Sequence, residues 1–187
     1  MVKRVYNFSP GPAMLPLPAL EEAQRDLLAL PGLGMSVLEI SHRSPTFKAI
    51  IEAAEANLRQ LLKIPDDYAV LFMQGGARLQ FGMIPMNFLR KSGRPASYIV
   101  TGSWSKLAVS EAQTQGQVHI AWDGKATNYD RVPANQELNI DPNSVYVYFC
   151  SNETIAGVQF PTEPETGGLP LVCDASSELL SPPVDLP

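Results

Sequence analysis

Several side chains in this sequence could together hold a flat anionic ligand, and each falls just beyond an apolar run. Residues 69–73 (AVLFM) break at Gly75-Gly76, with Ala77 and Arg78 directly after. A strand, tight turn and helix start of this kind lets backbone come close to a ligand, and the free N–H groups and helix dipole favour an anion there. Arg78 adds a fixed positive charge. Trp104 follows residues 97–101 (SYIVT) across Gly102, Thr154 follows residues 145–149 (VYVYF) across Ser151-Asn152-Glu153, and Asp174 closes residues 169–173 (LPLVC). A phosphate cradle at Gly76, Ala77 and Arg78, an aromatic plate, a hydroxyl and a carboxylate suit a planar phosphorylated heterocycle with a basic ring nitrogen. The segment GGAR matches neither GxGxxG nor GxxxxGK[ST], so alone it reads equally well as a structural turn.

A second candidate pair, His42 and Arg43, stands ahead of a helix that Ser44 caps and Pro45 starts. A cation beside the positive end of a helix is unfavourable unless an anion is there too. Arg43 is therefore either splayed into solvent or poised for an anionic ligand, and His42 alone reads as a hydrogen-bonded structural histidine.

The elements that must position these groups follow from periodicity. The proline-rich opening, residues 1–16, reads as an extended arm. Residues 18–30 form a helix with Leu20, Ala23, Leu27 and Leu30 on one face, stopped by Pro31-Gly32. The helix after Ser44 carries Phe47, Ile50, Ile51, Ala54, Leu58, Leu61 and Leu62 as its stripe. Beyond the glycine turn, residues 79–89 suit a buried helix with a kink or early end at Pro85. Strands are expected at residues 69–73, 97–101, 117–121, 145–149 and 169–173, a helix from Trp104 to Gln115, and a polar loop from Trp122 to Pro133. Alternating strands and helices predict an α/β fold with a mostly parallel sheet flanked by helices. Ligands of such sheets bind beyond the carboxyl ends of the strands, which gathers Gly76, Ala77, Arg78, Trp104, Thr154 and Asp174 on one rim.

Composition narrows the function classes. The chain has 187 residues, 45% of them hydrophobic, with a net charge of −5. That balance fits a globular domain and argues against a nonspecific nucleic-acid or acidic-membrane binder. No apolar run reaches the roughly 20 residues of a membrane helix and the start has no signal-peptide core, so a cytoplasmic protein is expected. Cys150 and Cys173 form no metal-binding spacing and read as free thiols; no metal is expected.

The segments NFSPGPAMLP, GLGMSVLEISHRSPTF, VLFMQGGARLQF, TGSWS, SNETIAGVQF and VCDASSELLSPPVD occur in this order. Together they resemble the phosphoserine aminotransferases, pyridoxal-phosphate enzymes of the type I fold. The resemblance implies that residues 17–187 are part of the large cofactor-binding domain, with its C-terminal part absent. It implies that Gly76, Ala77 and Arg78 bind the phosphate of pyridoxal 5'-phosphate, that Trp104 stacks on the ring, that Thr154 meets the ring substituents, and that Asp174 pairs with the pyridinium nitrogen. Arg43, helped by His42, would receive an anionic group of the substrate. GGARLQ stands where some relatives have GGGRGQ or GGASLQ, so this chain mixes two versions.

The implied reaction moves the amino group of glutamate to 3-phosphohydroxypyruvate, giving phosphoserine, with a related step towards pyridoxine. A homodimer is implied as well. The lysine that carries the cofactor in the family lies beyond Pro187, and Lys106 reads as a solvated surface residue. No catalytic residue is therefore expected within these residues, and the chain alone should be inactive. Two rivals are another type I enzyme, such as an alanine–glyoxylate aminotransferase or a cysteine desulfurase, and a noncatalytic module that binds a phosphorylated ligand or only dimerises.

Overall fold

Proline and glycine punctuation sets where the helices begin and end. The computed structural model describes residues 4–11 and 13–183. Residues 1–3 and 12 of the expected arm, and 184–187 at the end of the last motif, lie outside the described residues; positions 4–11 and 13–16 carry no helix or strand. Helix α1 (Leu17–Leu28) starts after Pro16 and ends two residues before the expected boundary because Ala29 turns extended. Helix α2 (Pro45–Leu62) is capped as expected, Ser44 Oγ accepting from Phe47 N at 3.1 Å, and it ends where Lys63 adopts a left-handed conformation. The chain divides into two units, residues 4–71 with 183, and Phe72–Pro182.

In the second unit, helix α3 (Gly76–Phe88) holds Pro85 internally. It leads to strand β1 (Ala96–Val100), helix α4 (Ser103–Gln113), strand β2 (Val118–Asp123) and two short 3-10 turns. Strand β3 (Val147–Cys150), the hairpin of β4 (Asn152–Glu153) and β5 (Val158–Gln159), and strand β6 (Leu171–Asp174) follow. The main sheet has the order β2-β1-β3-β6, all pairs parallel, and β4-β5 is a separate antiparallel pair.

Side-chain alternation divides the core between the two faces of the sheet. Tyr98 and Tyr148 pack on one face with Phe81 and Leu89 from α3 and its C-cap, and with Ala108 and Ala112 of α4. Ile99, Val147 and Phe149 pack on the other with Ala121, Leu138 and Phe160. Both faces of the central strands are covered, as a parallel sheet requires.

Residues 69–73 correct one expectation, for they form no strand. A strand needs a neighbour to take its backbone hydrogen bonds, and no described residue pairs with this run. Val70 is half-buried and its other apolar side chains stay exposed, Leu71 at 74%. The loop expected from Trp122 starts later, since β2 runs on to Asp123 beside β1. The β4-β5 hairpin was not expected. Among the described residues no helix is long and apolar enough to cross a membrane.

Candidate functional site

The direction of α3 can be read from its aromatic contacts. Phe81, early in the helix, meets the ring of Tyr148, whereas Phe88, at its end, meets Tyr146. Helix α3 therefore runs antiparallel to β3, and its N-terminus points towards the carboxyl end of the sheet. Helix α4 starts directly after β1, and Ser151 follows β3 with its N–H bonded to the carbonyl of Asp174 at 3.0 Å. The starts of both helices, the turn after β4 and the end of β6 thus share one rim.

On that rim α3 is open and α4 is closed. Gly75 precedes α3 with φ of 93°, and no side chain caps the helix. A Cβ on Gly76, whose φ is 62°, would meet no atom within 4 Å. The first turn, with exposed Gly76, Ala77 and Arg78, leaves N–H groups and room for an anion. Arg78 makes no ion pair among the described residues and lines a surface cleft of about 380 Å³ with Gly75, Leu79, Met83 and Glu111.

The α4 terminus is occupied from within. Glu153, with no exposed surface, accepts from Trp104 N at 2.9 Å, Ser105 N at 2.8 Å and Ser105 Oγ at 2.5 Å. Ser105 Oγ in turn accepts from Thr101 N and Gly102 N. A Cβ on Gly102 would lie 2.6 Å from Glu153 Cδ, so glycine is required there by the carboxylate's approach. Sequence reasoning passed over Glu153 in favour of its neighbour Thr154. The available signal was a helix starting at glycine with no acid in its first turn, which needs an acceptor from elsewhere.

Trp104 is half-buried, its indole packed at the margin of the tyrosine-rich core. Thr154 opens the β4-β5 turn, which is closed by Gly157 N donating to Glu153 O at 2.8 Å. Its hydroxyl makes no hydrogen bond among the described residues. Both oxygens of Asp174 are engaged: Oδ1 accepts from Ser176 N and Oγ, while Oδ2 accepts longer bonds from Tyr148 Oη at 3.4 Å and Cys150 Sγ at 4.0 Å. Burial, reinforced by the nearby Asp174 charge, pushes the ionisation of Tyr148 and Cys150 upward, so both stay protonated beside the carboxylate.

Gly76, Ala77, Arg78, Trp104, Thr154 and Asp174 are therefore brought together in one unit. His42 and Arg43 belong to the other unit. Both are exposed in the turn before α2, where Arg43 N donates to Ser41 Oγ at 3.2 Å. Lys106 is engaged elsewhere, its ammonium 4.0 Å from the centroid of the Tyr129 ring.

A family profile described as Aminotransferase class-V matches residues 5–187. Phosphoserine aminotransferases of Rhodopirellula baltica and Laribacter hongkongensis are 50% and 52% identical to this chain over 185 and 182 residues. These alignments cover 98% and 97% of the chain but 49% and 50% of the relatives, so it spans about half their length. Among solved structures, phosphoserine aminotransferase from Bacillus circulans subsp. alkalophilus superposes with a TM-score of 0.92 at 48% identity, covering 98% of this chain and 50% of that one. The pyridoxal-phosphate-bound enzyme from Trichomonas vaginalis superposes at 0.89 with 37% identity, over 97% of this chain and 51% of that one.

Proposed function

Because this chain belongs to the aminotransferase class-V family, we infer that its strand-end rim binds pyridoxal 5'-phosphate. The whole protein then moves the amino group of glutamate to 3-phosphohydroxypyruvate, giving phosphoserine and 2-oxoglutarate. The observation that carries this reading is the single rim with an uncapped helix start, a half-buried indole and a carboxylate steered by Ser176, Tyr148 and Cys150. These residues fit the cofactor: the space above Gly76 admits a phosphate, and the Thr154 hydroxyl has no competing partner.

When bound, pyridoxal phosphate supplies an electron sink for carbanion chemistry. The chain's own part is to hold and polarise. The first turn of α3 and Arg78 take the phosphate through N–H groups and charge. Trp104, half-buried at the core margin, would offer a flat apolar face that excludes water from one side of the ring. The Asp174 carboxylate would keep a proton on the ring nitrogen, and the Tyr148 hydroxyl, donating to Oδ2, orients that carboxylate without adding charge. Thr154 would donate to a ring substituent, and Arg43 with His42 would receive an anionic group of the substrate.

The same reading extends to a phosphorylated hydroxythreonine as second substrate, on the pyridoxine route, and to a cytoplasmic homodimer. Residues 17–187 then belong to the large cofactor-binding domain, with residues 1–16 as an arm. The test is a pyridoxal-phosphate titration of the chain against Asp174→Ala. Saturable binding weakened by the substitution supports the reading, and equal binding by both contradicts it. Amino-acceptor assays on a polypeptide of the relatives' full length then separate phosphohydroxypyruvate from other 2-oxo acids.

A further inference from the structure

We propose that Glu153 is the positioning residue for Trp104, setting the height and tilt of the indole by gripping the first turn of α4 from the neighbouring hairpin. This rests on the reading of Trp104 as the plate beneath the cofactor. Glu153 is completely buried, and no cation neutralises it among the described residues. A buried carboxylate of this kind is retained only where donors satisfy it. Three donors do, and all come from one helical turn: the N–H of Trp104, the N–H of Ser105 and the Ser105 hydroxyl.

The first of these belongs to the plate residue itself, so the carboxylate and the indole share one peptide unit. The carboxylate sits 49 residues away in sequence, at the base of the turn that carries Thr154. One side chain thereby fixes the spacing between the plate and the hydroxyl that face the same ligand. Its negative charge also offsets the positive end of α4, which leaves α3 as the open helix start for an anion on this rim. Gly102 supports the assignment, because its missing Cβ is what admits the carboxylate.

The test uses the protein carrying Trp122→Phe, in which Trp104 is the sole tryptophan. Glu153→Gln presents one acceptor oxygen and an amide against two backbone donors, and so breaks the grip. Acrylamide quenching of Trp104 is expected to rise. Affinity for pyridoxal phosphate is expected to fall roughly tenfold, the factor that accompanies loss of one charge-assisted hydrogen bond. Ser105→Ala, which removes only the hydroxyl donor, carries the test if Glu153→Gln does not fold, with smaller shifts in the same direction.

Val147→Ala, in the opposite core, weakens the sheet away from α4 and should leave both readouts unchanged. Unaltered Trp104 quenching in the Glu153 and Ser105 variants, or an equal change in Val147→Ala, overturns the proposal. If the parent protein binds no pyridoxal phosphate, the cofactor reading fails while the quenching comparison still decides the role of Glu153.

Discussion

Asp174 has one oxygen tied by Ser176 and one facing a protonated tyrosine and thiol, so a bound cation-like nitrogen would find a carboxylate already aimed. Asp174→Ala is expected to weaken pyridoxal-phosphate binding by on the order of tenfold to a hundredfold, as befits a lost charged hydrogen bond, measured by absorbance titration. Gly102 is constrained differently. Its φ of 172° is ordinary extended backbone, so the cost of a side chain there is the overlap with Glu153. Gly102→Ala should destabilise by about 1–3 kcal/mol. A double-mutant cycle with Glu153→Ala should recover part of that loss in thermal melts. At this scale the sequence pointed to Trp104, Thr154 and Asp174 as candidates on one rim because each stands beyond an apolar run. It did not show Glu153, whose meaning depends on a helix 49 residues away.

Helix starts are the elements on which the site depends, and the two kinds of start differ in sequence. Ser44 caps α2 locally and was legible for that reason, whereas α4 borrows its cap through the fold. Ser44→Ala should cost about 1 kcal/mol, read from a chemical denaturation midpoint. The 3-10 turn Asn135–Glu137 is held by a pair that titrates. The bidentate bond from Arg131, helped by Ala134 N–H, lowers the Glu137 carboxyl from near 4.5 to about 2. A lowered folded value means that this contribution is full above pH 4.5 and is lost as pH falls through about 2. Because the pair is exposed, its effect on overall stability should be small, and an NMR titration of Glu137 is the direct check. The strand expected at residues 69–73 failed for a reason that periodicity does not carry. An apolar run specifies burial only when another strand or helix is there to cover it.

At the largest scale, the second unit is built on a parallel sheet whose carboxyl edge gathers residues from four stretches of chain, and the chain spans about half the length of its relatives. Alternating strands and helices made that architecture readable, since parallel pairing forces each connection back across a face of the sheet. For His42 and Arg43 the sequence offered a cation before a helix start and left its duty open, and the substrate role comes from family resemblance, because loop residues carry no periodicity. Under the proposed function, Arg43→Ala in a polypeptide of the relatives' length should raise KM for glutamate and the phosphorylated acceptor at least tenfold with a smaller effect on pyridoxal-phosphate binding, measured by steady-state kinetics. The most direct measurement of the central claim is a crystal structure of the chain soaked with pyridoxal 5'-phosphate. Phosphate density at the first turn of α3, with the ring against Trp104 and its nitrogen facing Asp174, is the expected result; density anywhere else, with this rim holding only solvent, would contradict it.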